Sequence, residues 1–368
     1  MKLNEFREEI FSKQIIPAIA VNSMIVGSRD FEEAFELAAM AENKLGIRTF
    51  VDLRSRRNAT TDKDGLWMGA HENSSFDIID EQCLQRAISF AGKYHRSIMG
   101  ISVYLGAFSQ QDYEYGKSVI EKAINLTPVA LHNTIIVRIV GGSKKTIAEK
   151  NCKNSVLSNI KKLAKHTIEV EKCYKQITGL NSKIILGIEI HQGQYPENVE
   201  EVVEIYKTLG NISKEILDHI GIIEDPANRY ISTFGRYLDP ELAARVINSV
   251  GGKIIYYHLK DVKFIDNWEG YNNKWWMEGF QQVGNGSLFE FDNRIFEWRL
   301  PCEGDINFQD CVDAALKYSS PPHGIIGFST EHIPASKNKE DAREIIMKYG
   351  KVIIRTCFKK QIIGVEAR

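Results

Sequence analysis

The chain has 368 residues, 43% of them hydrophobic and 26% charged, a balance that excludes disordered, collagenous and low-complexity fibrous classes. Its 47 basic and 48 acidic residues leave a formal net charge of -1, so no large field exists to hold a polyanion, and no nucleic-acid partner is expected. At roughly 150 residues per domain the length admits two or three domains, or one α/β barrel carrying about a hundred surplus residues.

The six cysteines, at 83, 152, 173, 302, 311 and 357, form no Cys-x-x-Cys pair. That pattern suits reduced thiols in a cytoplasmic protein, not a disulfide framework or a zinc knuckle. The opening MKLNEFREEIFSK holds no apolar signal core, and no apolar run approaches the roughly 20 residues needed to span a bilayer, so no membrane partner is expected.

In chain order, short runs rich in Ile and Val predict strands over Ile15–Val21, Arg48–Leu53, Ile98–Tyr104, Ile135–Val140, Ile184–Ile190, Ile220–Glu224, Ile254–His258 and Ile325–Ser329. Most are continuously apolar, as strands buried on both faces of a parallel sheet must be. The segments between them read as amphipathic helices. Phe31–Asn43 begins with acidic residues and is followed by Gly46, and Val199–Leu209 spaces Val199, Val202, Val203 and Tyr206 along one face. Strand then helix, eight times over, predicts one α/β domain over 1–368, a (β/α)8 TIM barrel. The rival open sheet lacks a Gly-x-Gly-x-x-Gly after its first strand.

Ser143–His166, with seven lysines among spaced apolar residues, reads as a solvated helix face. Two stretches exceed a minimal barrel, 54–80 after strand two and 262–300 after strand seven, and a further helix is expected over Ala342–Phe358. Both insertions follow strands, so both belong to the face where barrel enzymes build their sites. Trp268–Leu300 holds nine aromatics in 33 positions, including four of the five tryptophans. They suit stacking on a sugar or a water-excluding lid, a satellite core under a long loop, or a subunit interface, which leaves a homo-oligomer open.

The polar residues that close the later strands carry the chemistry. Strand five reads IILGIEIHQG, with Glu189 and His191 on one side; strand six ends IIEDPAN, with Asp225 and Asn228. Strand seven ends IIYYHLKD, with His258, Lys260 and Asp261, and strand eight ends GFSTEHIP, with Glu331 and His332. A buried charge is costly unless paired or metal-bound, so a Glu, Asp, His, Glu series at corresponding ends of four successive strands points to a metal site. Three oxygen donors and one nitrogen suit Mn²⁺, Mg²⁺ or Co²⁺ more than a sulfur-bound zinc. His191 is a candidate acid, base or hydroxyl ligand, or a partner orienting Glu189. Lys260 is a candidate for neutralising an enolate, carboxylate or phosphate, or an ion pair with Asp261 or another carboxylate. Asn228 is a third substrate-binding candidate, and Arg138 a weaker structural one.

The segments GIEIHQG, IIEDPAN, YYHLKD and EGDINF followed by GFSTEH resemble the xylose-isomerase-like TIM barrels, the sugar phosphate isomerase/epimerase superfamily, from about Ile15 to Tyr349. The resemblance implies that Glu189, Asp225, His258 and Glu331 bind one divalent cation, Mn²⁺ first, with Mg²⁺, Co²⁺ or Zn²⁺ as alternatives. It also implies that Glu189 and Glu331 are the catalytic acid and base. The implied function is isomerisation or epimerisation of a small sugar or polyol-derived carbonyl compound by proton transfer through a metal-stabilised enediolate. Two features depart from the ketose epimerases: Asn228 stands where they have a histidine, and His-Leu-Lys-Asp replaces their Glu-x-x-x-Arg. These forms resemble the sugar-phosphate isomerase and inosose dehydratase branches, so a dehydratase using the same site is the first alternative. A barrel subunit of a larger complex is another. Abasic-site endonucleases share the barrel but need extra histidines that the context of Asp225 lacks.

Overall fold

The computed structural model describes residues 15–56, 74–106, 109–209, 213–236, 239–265, 275–277, 280–283, 288–291, 294–331 and 335–366. Thirteen strands are present among them: β1 (Ile16–Asn22), β2 (Thr49–Arg54), β3 (Ile98–Gly106), β4 (Thr134–Val140), β5 (Lys183–Glu189), β6 (Ile220–Glu224), β7 (Ile254–Leu259), β8 (Asp261–Ile265), β9 (Trp275–Met277), β10 (Phe280–Val283), β11 (Leu288–Phe291), β12 (Arg294–Arg299) and β13 (Ile325–Thr330). The helices are α1 (Glu32–Leu45), α2 (Glu81–Tyr94), α3 (Gln110–Ala123), α4 (Lys144–Glu149), α5 (Lys153–Thr178), α6 (Val199–Leu209), α7 (Lys214–Leu217), α8 (Pro226–Ser232), α9 (Pro240–Ser249), α10 (Phe308–Tyr318) and α11 (Lys339–Glu366).

Eight strands close a parallel barrel in the order β1-β13-β7-β6-β5-β4-β3-β2. All eight expected strands are present, with ends shifted by at most two residues. Local chemistry sets the helix boundaries. Asp80 caps α2, Ser109 and Asp112 form a capping box on α3, and Gly46 ends α1 at a φ of 68° that disfavours a side chain. The lysine-rich segment is two helices, α4 and α5, because the turn between them passes through Asn151 at a φ of 47°. Among the described residues no helix is long and apolar enough to cross a membrane.

Two cores result. The larger lies between barrel and helices; the smaller fills the barrel with Ala18, Ala20, Phe50, Met99, Ile136, Ile185, Ile223, Ile255, Tyr256 and Ile325. Gly327 makes the second possible, since a Cβ there would lie 2.3 Å from both Met99 Sδ and Tyr256 Cε2.

The stretch after β7 builds a second sheet. Past Lys260 the chain continues as β8, the edge of a five-stranded antiparallel sheet ordered β8-β12-β11-β10-β9. Phe289, Phe296 and Trp298 are buried there, with Phe289 stacked on Phe296 at 5.6 Å and on Trp298 at 4.6 Å. These three rings form a satellite core; Trp268 and Tyr271 lie outside the described residues, as does most of the 54–80 insertion. Asp261 ties the sheet back to the barrel, accepting hydrogen bonds from the backbone N–H groups of Val262, Gly304 and Ile306 at 2.9, 3.0 and 3.2 Å.

Candidate metal centre

Every second residue of a barrel strand points inward, so the site can be followed upward from the inner core. On β2, Phe50 lies in that core, Asp52 above it and Arg54 at the top. On β13, Ile325 and Gly327 are followed by Ser329 and then, one residue past the strand, Glu331. The same step brings Arg138 into the upper half of β4, Glu189 to the end of β5, Asp225 just past β6, and His258 and Lys260 to the end of β7.

Glu189, Asp225, His258 and Glu331 each offer a donor atom, and these atoms lie within 4.8 Å of one another. All four residues are buried, none more than 3% exposed. His258 turns Nδ1 toward the carboxylates, 2.8 Å from Glu189 Oε1 and 3.2 Å from Glu331 Oε1. Lys260 Nζ lies 2.7 Å from Asp225 Oδ2 and 2.9 Å from Glu331 Oε2, and 5.5 Å from the centre of the Trp298 ring. Its partners are thus the barrel-top carboxylates and not Asp261. Arg138 pairs with Glu189 through both Nε and Nη2, and Arg54 Nη1 stands 3.7 Å from Glu331 Oε1.

These contacts set the protonation states. Burial alone would raise the Glu189 carboxyl, but Arg138 and then His258 hold it well below the ordinary range. Burial is likewise overcome at Glu331, which Lys260 and His258 keep ionised. At Asp225 burial prevails over Lys260 and pushes the carboxyl up to about 6. Burial disfavours a charged His258, yet Glu331 and Glu189 raise it above its usual value. His191 is 4% exposed and is lowered to about 4, chiefly by burial, so its ring is neutral at pH 7; Nδ1 lies 2.9 Å from the Gln192 carbonyl.

The donor chemistry fits a divalent ion: three carboxylates and one imidazole nitrogen converge, and the Lys260 ammonium stands as a cation where they concentrate negative charge. An orphaned atom of the cluster supports the same fit. His258 Nε2 is buried with no hydrogen-bond partner among the described residues, and Asp52 Oδ2 lies 3.9 Å away. Were Nδ1 to ligate a cation, Nε2 would carry the proton and face a carboxylate, the arrangement that fixes a metal-ligating imidazole. Asp52 is held by Ser329 Oγ at 2.7 Å and by Asn22 Nδ2 and Ser102 Oγ, each at 3.1 Å. Asn228 supports the other side: its backbone N–H donates to Asp225 Oδ1 at 2.9 Å, capping α8, and its Nδ2 donates to Glu189 Oε1 at 3.4 Å.

Six residues expected from the sequence therefore meet at one place: Glu189, Asp225, His258, Glu331, Lys260 and Asn228. His191 is buried close by and bonds its own loop, while His332 lies outside the described residues. Sequence reasoning missed Asn22, Asp52, Arg54 and Ser102. Arg54 falls at the start of the 54–80 insertion, one residue past the strand expected to end at Leu53. Counting by twos from Phe50 would have found both it and Asp52.

The fold is similar to that of several solved TIM barrels. A xylose isomerase domain protein from Planctomyces limnophilus superposes with a TM-score of 0.55 at 12% identity, covering 94% of this chain and 98% of its own. The probable 3-DHS dehydratase of petrobactin synthesis from Bacillus anthracis gives 0.54 at 11% identity, covering 92% and 98%. D-Psicose 3-epimerase from Clostridium cellulolyticum H10 gives 0.53 at 10% identity, covering 93% and 98%. At these identities the likeness is one of fold. No protein-family model and no curated protein sequence matches the chain.

Proposed function

We propose that the protein is a divalent-metal-dependent isomerase or epimerase of a small polyhydroxylated carbonyl compound, with Glu189, Asp225, His258 and Glu331 holding the cation. The observation that carries this reading is the convergence of those four buried donors within 4.8 Å at the mouth of a barrel of this fold. When bound, the cation, Mn²⁺ first among the candidates, polarises the substrate carbonyl and acidifies the neighbouring C–H.

The protein's own groups supply the rest. Glu189 and Glu331 reach the site from β5 and β13, which are separated in the barrel by β6 and β7, so the two carboxylates approach from different directions. Both are ionised, so either can accept the proton from carbon; in isomerisation the same group returns it, and in epimerisation the opposite one takes a proton from water and delivers it. Lys260 places positive charge beside the oxygen that becomes negative as the proton leaves. Trp298 packs over Lys260 and shields that charge from water. Asn228 orients Glu189, and neutral His191 is placed to bond a substrate hydroxyl.

A lyase is the second reading, favoured by Lys260 next to Glu331: an enolate held there expels a β-hydroxyl in place of reprotonation. Metal analysis of the purified protein, followed by incubation with ketoses, inososes and sugar acids in deuterated water, tests both. The isomerase or epimerase reading predicts a stoichiometric divalent ion and a product of unchanged skeleton that gains solvent deuterium. Loss of water from the product selects the lyase. Absence of a bound divalent ion under metal-replete conditions, or undiminished activity in both Glu189→Gln and Glu331→Gln, defeats the enzyme reading.

A further inference from the structure

The mouth of the barrel holds more positive charge than its carboxylates need once a cation is present. Among the described residues, four buried carboxylates, Asp52, Glu189, Asp225 and Glu331, face three buried cations, Arg54, Arg138 and Lys260. A divalent ion turns that deficit of one positive charge into an excess of one, because a ligating His258 is neutral. Such an excess in a site of low dielectric calls for an anion.

The three cations do not share the excess equally. Arg138 grips Glu189, itself one of the proposed donors, through both Nε and Nη2. Among the described residues Lys260 pairs with Asp225 and Glu331, two of the donors proposed for the cation. Arg54 is the least satisfied. It is 3% exposed, its Nε is buried with no partner, and its nearest carboxylate oxygen, at 3.7 Å, is beyond hydrogen-bond reach. Nη1 instead meets the Met24 sulfur. Among the described residues no oxygen accepts a hydrogen bond from this guanidinium, although its fork geometry suits a carboxylate or phosphate.

We infer that the substrate is acidic: it carries a carboxylate or phosphate that Arg54, seconded by Lys260, binds beside the donor cluster, and a neutral sugar is the wrong substrate class. This rests on the metal-site reading above, since the charge excess exists only with the cation bound.

The test is calorimetric binding to the Mn²⁺-loaded protein, with Mn²⁺ affinity measured first and separately. The ligand arms are D-fructose and D-glucose as neutral sugars, D-gluconate and D-glucuronate as carboxylates, and D-fructose 6-phosphate and D-glucose 6-phosphate as phosphates. The expected result is binding of one acidic arm at least about tenfold tighter than the neutral arm, which also identifies the acid group. Arg54→Gln is expected to erase that preference and Arg54→Lys to retain part of it, while both keep Mn²⁺ affinity within about threefold, as for a residue that touches no donor atom directly. Thermal melts establish that the variants fold, and the wild-type selectivity decides the matter without them. Mn²⁺ binding without preference for either acidic arm, or a preference that survives in Arg54→Gln, overturns the inference and leaves the metal site standing. Failure of the wild type to bind Mn²⁺ overturns both.

Discussion

The two halves of the barrel divide the labour at its mouth. Strands β5, β6, β7 and β13 bring in Glu189, Asp225, His258, Lys260 and Glu331, so this half supplies every donor of the cluster. Strands β1 to β4 bring in Asn22, Asp52, Arg54, Ser102 and Arg138. One half concentrates negative charge; the other pairs it, orients it and leaves one guanidinium underused. Neither half is stable alone in this form, because buried carboxylates without cations and buried cations without carboxylates are both costly.

The largest expected effect comes from cutting a pair that crosses this division. Glu189→Gln removes the charge that faces buried Arg138, and Arg138→Met removes the cation that faces buried Glu189. Each is expected to lower the unfolding free energy by about 3–5 kcal/mol in urea melts, the usual cost of orphaning one member of a buried pair. The double variant is expected to lose clearly less than the sum, giving a coupling energy of about 1–3 kcal/mol. Mn²⁺ binding should be lost in Glu189→Gln and remain lost in the double variant. Additive losses would mean that the halves act independently at this contact.

A smaller effect is expected within the supporting half. Asp52→Asn keeps the shape and two of the three hydrogen-bonding functions around Asn22, Ser102 and Ser329, but removes the charge behind His258. Mn²⁺ affinity should fall about 10–100-fold, the range found when the carboxylate behind a ligating histidine is lost. Titration of the variant with Mn²⁺ reads this directly. Unchanged affinity would reduce Asp52 to the centre of a structural hydrogen-bond network.

The same division explains what could be read from the sequence. In the later half the polar residues stand at the ends of apolar runs, as in IIEDPAN and IIYYHLKD, where a titratable residue is conspicuous. In the earlier half Asp52 and Arg138 lie inside their strands, and Asn22 and Ser102 are types common in turns. Their role appears only when eight strands close and alternate positions meet across 20 or more residues of chain, as with Asn22 and Asp52 or Asp52 and Ser329. The eight-strand period was legible because most of the strands are apolar on both faces. The second sheet was not, since its aromatics suited a lid, an interface or a satellite core equally well until the pairing of β8 with β12 placed Val262 opposite Trp298.

The smallest expected effect lies at the opposite end of the donor-rich half, where histidine and glutamate meet again without any donor cluster. His219, just before β6, is 7% exposed; its Nε2 lies 2.9 Å from Glu171 Oε2 on α5, and its Nδ1 lies 2.7 Å from the Glu215 carbonyl. Glu171 in turn accepts a hydrogen bond from the backbone N–H of Ile184 in β5 at 2.7 Å. Only the protonated ring can donate to both oxygens at once. Burial opposes the charge, but Glu171 and then the Glu215 carbonyl raise His219 above its usual value of 6.5. A group whose folded pKa is raised contributes stability that is fully present below its unfolded pKa, about 6.5, and is lost as the pH climbs through the higher folded value. His219→Gln should therefore cost more at pH 6 than at pH 8.5, with a difference of no more than about 1 kcal/mol because water partly screens the pair. Urea melts of the two proteins at both pH values measure it. An equal penalty at the two pH values would show that His219 packs as a neutral ring, and that charged histidine–carboxylate pairing in this half is confined to the barrel mouth.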